Sequence, residues 1–296
     1  MTRGWRQQTE RGSPWALRLI LWIALKLGRA PARLLLYPIT LYFFLFAPSA
    51  RRGSADYLRR VYGRSPTLFE RLRHLHCFAA TILDRVFFLA GRFDLFDVRL
   101  HGEETLKAII EQRQGCIFLS AHVGSFDALR ALGEAYVDLP IHILMELDHN
   151  AFITQLLHTI NPKLLERVIQ AGDINALLRV QETLQDGEMI GVLADRMRPQ
   201  DRAVSCMFLG HAAPFPLGMA QMAMVLQVPV VLCFALYRGG NRYDVYLEPF
   251  SAPPRVKRAE RDDVLGAWVR GYVSRLESYV RKAPENWFNF YDFWDA

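Results

Sequence analysis

Residues 116–127 read Cys-Ile-Phe-Leu-Ser-Ala-His-Val-Gly-Ser-Phe-Asp, and this stretch decides the fold. Cys116–Ser120 is an apolar run bounded by Gly115, the pattern of a strand buried on both faces. A short turn follows. Phe126–Tyr136 then carries apolar residues at helical spacing, with Ser125 placed to act as its N-cap. A buried strand that turns directly into a helix is one unit of a parallel sheet.

The same alternation extends in both directions. Upstream, Pro66 to about Gly91 has helical periodicity, Val98–His101 reads as a strand and Glu103–Glu111 as a helix. Downstream, strands are predicted at Ile141–Met145, Met189–Ala194, Val228–Leu236 and Tyr243–Leu247. Helices are predicted at Ala151–Ile160, Asp173–Gln185, Phe215–Leu226 and Arg261–Arg281. Strand–helix alternation at this spacing predicts an α/β fold, a mostly parallel sheet flanked by helices.

In such folds ligands gather beyond the carboxyl ends of the strands. His122 lies in the first such turn, Gly124 gives its backbone freedom, and Asp127 falls in the first turn of the helix, where a carboxylate is favoured. A carboxylate that accepts a proton from one imidazole nitrogen leaves the other as a base, so His122 and Asp127 form a candidate dyad for deprotonating a hydroxyl. The bland reading is a turn histidine hydrogen-bonded to its cap. A second loop begins Asp195-Arg196-Met197-Arg198. Arg196 and Arg198 suit a phosphate or carboxylate, or else form surface ion pairs with Asp195 and Asp201. No dinucleotide fingerprint, P-loop or nucleophile elbow is present. His101, His142, His149 and His158 have no metal-ligand spacing, and Cys77, Cys116, Cys206 and Cys233 form no CxxC pair, which predicts no metal, no cofactor and a reducing compartment.

These residues resemble the lysophospholipid acyltransferase superfamily and, within it, the lipid A biosynthesis (lauroyl/myristoyl) acyltransferase family. The similarity runs through His122-x4-Asp127, Gly187-Glu188, Gly191-Val192-Leu193-Ala194-Asp195-Arg196 and Phe208-Leu209-Gly210. It continues through Ala213–Gly218 and Pro229-Val230-Val231 to Pro284-Glu285-Asn286-Trp287-Phe288. The resemblance implies transfer of a fatty acyl group from acyl carrier protein or acyl-CoA to a hydroxyl of a lipid A-like glycolipid or another membrane lipid. It implies His122 as the base, Asp127 as the residue that orients it, and the Asp195 segment as lining the acceptor site. Gly124, Ser125, Asp195, Arg196, Arg198, Phe208 and Gly210 are the candidate substrate-binding residues, with amides near Gly124 and at the helix start as candidate oxyanion donors. Two positions depart from the family pattern. Asp127 stands where the lipid A branch more often has Glu. Phe215-Pro216-Leu217-Gly218 lacks the Glu of the motif that reads glycerol phosphate in other branches, which argues against that acceptor. An ornithine lipid or an aryl-polyene lipid remains open beside lipid A. A thioesterase using water as acceptor and a non-enzymatic lipid-binding protein are the alternatives from other classes.

The rest of the chain bears on where such an enzyme would work. Of 296 residues, 51% are hydrophobic and 22% charged, which excludes a disordered protein. The net charge of +6 is uneven. Residues 1–100 hold 17 Lys and Arg against 6 Asp and Glu, whereas residues 101–296 hold 19 against 24. The basic excess therefore belongs to one end, which is not a nucleic-acid signature.

That end also holds two apolar runs, Trp15–Leu27 and Leu34–Ala47. In a helix, Arg18, Lys26 and Arg29 fall within roughly an 80° arc, a basic edge alongside the apolar Trp15, Leu19, Trp22, Ile23 and Leu25, with Arg33 close to the same edge, a pattern suited to a headgroup layer. The second run is about 21 Å of helix, short of a ~30 Å hydrocarbon core. Buried core helices or a signal peptide give similar runs, although Ala-Pro-Ser-Ala-Arg-Arg is a poor cleavage site. Arg3, Arg6 and Arg11 before the runs, and Arg51, Arg52, Arg59, Arg60 and Arg64 after them, add attraction to anionic lipid. Together with the resemblance, this implies that residues 1–65 form an anchor on the cytoplasmic face of a bacterial inner membrane and residues 66–296 an acyltransferase domain.

Overall fold

The computed structural model describes residues 14–112, 114–136, 140–146, 151–198 and 200–295. His149 and the basic positions Arg3, Arg6 and Arg11 lie outside the described residues.

The described residues start with five helices: α1 (Pro14–Leu27), α2 (Arg29–Leu34), α3 (Leu36–Phe46), α4 (Pro48–Tyr62) and α5 (Leu68–Leu89). Strands and helices then alternate through β1 (Asp97–His101), α6 (Glu103–Gln112), β2 (Cys116–Ser120), α7 (Phe126–Tyr136), β3 (Ile141–Met145), α8 (Ala151–Ile160), α9 (Lys163–Glu166), β4 (Val168–Gln170), α10 (Ala176–Gln185) and β5 (Met189–Leu193). A two-stranded hairpin, β6 (Ala203–Phe208) and β7 (His211–Pro216), precedes α11 (Gly218–Leu226), β8 (Val230–Gly239), β9 (Arg242–Phe250) and α12 (Arg261–Lys282).

The seven-stranded sheet has the order β1-β9-β8-β2-β5-β3-β4. β8, β2, β5, β3 and β4 run parallel, while β9 pairs antiparallel with β8 and carries β1 with it. β2 is central and every residue of it is buried. Ile117 and Leu119 pack into the layer built with α4, α11 and α12, and Cys116 and Phe118 into the layer built with α5, α6 and α7. A strand sealed on both sides by helices has no solvated face, which is why its sequence is a continuous apolar run.

Two expectations about elements change. Phe215 and Pro216 end β7 rather than opening a helix, and the helix begins at Gly218. The basic stretch after the second apolar run is itself a helix, α4, whose buried face is Ser54, Tyr57, Leu58 and Val61.

No single helix among the described residues is long and apolar enough to cross a membrane, and the chain bends by 94° between Arg29–Phe46 and α4. The α2–α3 stretch is nonetheless inside out. Leu34, Tyr37, Leu41, Tyr42, Leu45 and Phe46 are each more than half exposed, at spacings that share one helical face. The polar Thr40 is buried and hydrogen-bonded to His76 Nδ1. The basic edge expected along the first helices is not on the surface as a unit. Arg29 turns inward to pair with the buried Asp84 at 2.7 Å, and Arg33 donates to the Tyr237 hydroxyl at 2.8 Å. Tyr243 donates to the same Asp84 at 2.8 Å, so α2 is tied to α5 and β9.

Candidate active site

The site forms because β2 and β5 are adjacent, parallel and in register. Ser120 lies opposite Leu193, and the Ala194 amide continues the ladder by donating to Ser120 O at 2.9 Å. Two residues beyond each strand end, His122 and Asp195 therefore arrive side by side. His122 Nδ1 is 2.7 Å from Asp195 Oδ1, and the His122 backbone N–H donates to the same oxygen at 3.1 Å. A buried carboxylate at this distance makes Nδ1 the protonated nitrogen and leaves Nε2 as an acceptor.

Asp195 is fully buried, and four donors reach it. Oδ1 takes the two from His122. Oδ2 takes Trp287 Nε1 at 3.0 Å and Asn289 Nδ2 at 2.9 Å. Burial alone would raise its pKa, but His122, the Arg196 charge and these hydrogen bonds outweigh that, and the carboxyl is held below its ordinary range. Burial also lowers the His122 pKa, with a further contribution from Arg196 that the Asp195 charge only partly offsets. Both effects favour the neutral imidazole, and 26% of its side chain is still exposed.

The C-terminal segment locks this arrangement. Phe288 N–H donates to His122 O at 2.8 Å, and Gly124 N–H donates to Asn286 O at 2.8 Å. Arg196 donates from Nε to Asn289 Oδ1 at 2.7 Å and from a terminal nitrogen to Phe288 O at 3.0 Å. Gly124 has φ +63°, and a Cβ there would stand 1.8 Å from Ala235 O, so no other residue fits the turn. Gly191 on β5 leaves room for the Phe126 ring, whose tip a Cβ would meet at 2.0 Å; this close approach seats the start of α7.

The carboxylate expected to serve His122 is therefore replaced by another. Asp127 sits in the first turn of α7 and accepts from Arg85 Nε at 2.6 Å, while the hydrogen bond to the imidazole comes from Asp195. Of the expected oxyanion donors, those nearest Gly124 are already bonded within the fold. The Gly124 and Ser125 amides are committed to Asn286 O and Ala235 O. Ser125 Oγ is buried without a hydrogen-bond partner, so it does not cap the helix. Arg198 is bound through its side chain and its amide to Asp201, the ion-pair alternative. Phe208 is fully buried among Phe215, Trp287, Phe293 and Trp294, where it backs the indole that holds Asp195. Gly210 is an exposed hairpin turn at φ +80°.

His101 stacks on Tyr246, and His142 pairs with Glu188. Trp287, Asn289 and Arg85 reach the site without having been singled out for it. Trp287 belongs to the C-terminal motif, but only the fold brings it to Asp195.

No curated protein sequence matches the chain. Residues 85–295 do match the family model described as bacterial lipid A biosynthesis acyltransferase. That span runs from Arg85 beside the site to the last described residue and takes in all of β1–β9, so the chain belongs to the bacterial lipid A biosynthesis acyltransferase family.

Proposed function

We propose that this acyltransferase moves a fatty acyl chain from a thioester donor, acyl carrier protein or acyl-CoA, to a hydroxyl of a lipid A-like glycolipid or another membrane lipid, with His122 as general base and Asp195 positioning it. The observation that carries the reading is the 2.7 Å contact between His122 Nδ1 and Asp195, which leaves Nε2 as the free basic nitrogen at the carboxyl end of the sheet. Nε2 takes the proton of the acceptor hydroxyl as its oxygen attacks the thioester carbonyl. The tetrahedral intermediate collapses to the ester, and the leaving thiolate takes the proton back from Nε2. General base assistance of this kind contributes about 10²–10⁴ in rate.

Negative charge on the carbonyl oxygen is assigned to the start of α7. The Phe126 and Asp127 amides have no backbone acceptor among the described residues, and the helix dipole favours an anion there. The unpartnered Ser125 hydroxyl lies at the same helix end. Asp127, paired with Arg85, holds that end in place.

The outward apolar face of α2–α3 supports a membrane-surface setting, since a lipid acceptor is met at a bilayer. On this reading residues 1–65 hold the protein to the cytoplasmic face of the inner membrane and residues 66–296 carry the reaction. The test is consumption of an acyl thioester with and without an added hydroxylated lipid. Consumption that requires the lipid, with a product one acyl chain heavier by mass spectrometry, supports acyl transfer. Equal consumption without it supports a thioesterase instead.

A further inference from the structure

We propose that Arg51 and Arg71, set against the ring of Phe44 at the end of α3, form a binding site for the phosphate of an anionic membrane phospholipid. This rests on the membrane-surface reading above and adds a defined headgroup site to it.

The two arginines come from different helices and converge on one side chain. The Arg51 guanidinium carbon lies 5.6 Å from the Phe44 ring centroid, and that of Arg71 lies 5.3 Å from it. Arg51 also donates to Phe44 O at 3.0 Å. An aromatic ring that holds guanidinium groups preorganises them for an anion.

Neither arginine has a carboxylate partner among the described residues, because the acids of this surface are committed elsewhere. Asp56 pairs with Arg59 and Arg60, Glu70 with Arg64, and Glu285 with Arg73. Arg71 Nε is buried and has no hydrogen-bond partner. Both arginines also lie at the start of their helices, where the helix dipole disfavours a cation. The first turn of α4 contains no acidic residue and no side-chain cap. The fold offers these two guanidiniums one carbonyl and one aromatic ring but no carboxylate of their own among the described residues, whereas a phosphate bonds them through paired N–H donors.

The surroundings favour a lipid over a free anion. Leu45 and Phe46 follow Phe44 on α3, and Leu68 and Phe69 precede Arg71 on α5; all four are more than half exposed. A phosphate site rimmed by exposed apolar side chains complements a headgroup with acyl chains beneath it.

The experiment measures binding of the full chain to phosphatidylcholine vesicles and to vesicles of an equimolar phosphatidylcholine–phosphatidylglycerol mixture. The variants are Arg51→Ala with Arg71→Ala, Arg71→Ala alone, and a charge-matched control, Arg59→Gln with Arg64→Gln. Each Arg–headgroup contact is worth about fivefold in affinity. The wild type is expected to prefer the anionic vesicles, with most of that preference lost in the double variant and retained in the control. Arg71→Ala removes no side-chain hydrogen bond among the described residues, so it reports on the site even if the double variant misfolds; its expected loss is about fivefold. Equal loss in the control and the double variant would mean diffuse attraction and would overturn the site. Loss of the preference on adding inorganic phosphate at constant ionic strength would make it a free-phosphate site and would also overturn the lipid assignment. Wild-type protein that binds neither vesicle would instead remove the membrane reading, a separate failure from loss of the preference alone.

Discussion

Asp195 bridges His122 to the C-terminal end of the chain: one carboxylate oxygen lies 2.7 Å from His122 Nδ1, and the other accepts from Trp287 and Asn289. The imidazole is thus held by groups from two distant stretches of sequence, and the carboxylate is buried with four donors on it. A histidine so held has a fixed tautomer and little rotational freedom, as a base acting on a weakly acidic hydroxyl requires.

Replacing the imidazole removes one of the four donors to Asp195, while the backbone bonds of His122 O with Phe288 and of His122 N with Asp195, and those of Trp287 and Asn289 with Asp195, remain. His122→Ala is expected to abolish acyl transfer while the protein keeps its circular dichroism spectrum and melting temperature within a few degrees. Retained turnover in the folded variant would remove His122 from the mechanism.

The pH profile has a defined sign. His122 must be unprotonated to act, and burial together with Arg196 lowers its pKa from 6.5. Activity is expected to rise with pH along an acid limb whose midpoint lies below 6.5 and then to level off. Arg196→Gln removes a positive neighbour, so the limb should move to higher pH. A limb unmoved in that variant would contradict the assignment of the limb to His122.

Gly124 and Gly210 separate a turn that shapes the site from one that does not. Both have positive φ, but only at Gly124 does a Cβ collide with backbone, whereas at Gly210 it meets open space. Gly124→Ala is expected to destabilise by about 2–4 kcal/mol and to lower kcat, and Gly210→Ala to cost about 1 kcal/mol with unchanged kcat. Denaturant titration and steady-state kinetics on both variants measure the contrast.

His74 supplies an acid-stability signature. It is buried between the Ser54 hydroxyl and Trp287 O, and burial lowers its pKa from 6.5 to about 4. The unfolded chain therefore takes up the proton first, so this contribution to stability is present above pH 6.5 and declines as pH falls toward 4. Melting temperature is expected to fall by roughly 5 °C across that window, and by less in His74→Gln. Equal pH dependence in the two proteins would exclude His74 as the source.

What was legible in the sequence follows from the physics of each element. Cys116–Ser120 is readable to the residue because a strand covered on both faces is a continuous apolar run, whereas Ile141–Met145 is marked by its apolar ends despite His142 and is only partly buried beyond Ile141. β4 has three residues, too few to display a period. The β6–β7 hairpin carries Pro214 and Pro216, which a two-stranded ribbon tolerates on its free edge and which obscure the strand pattern. α4 hides beneath its arginines, although Tyr57, Leu58 and Val61 mark its buried face at helical spacing. The site was half legible. His122 and Asp195 were both selected, but His122 was matched to the carboxylate nearest in sequence. The actual contact depends on the register of β2 against β5, which joins residues 73 positions apart.

The most direct test compares kcat for acyl transfer in Asp195→Asn and Asp127→Asn. Asparagine preserves shape in both, but at position 195 it removes the charge that fixes the His122 tautomer and stabilises the imidazolium. The account predicts a loss of about 10³-fold or more for Asp195→Asn and less than about 10-fold for Asp127→Asn, which acts through Arg85 and the start of α7. Near-normal turnover in Asp195→Asn, with collapse confined to Asp127→Asn, would contradict it.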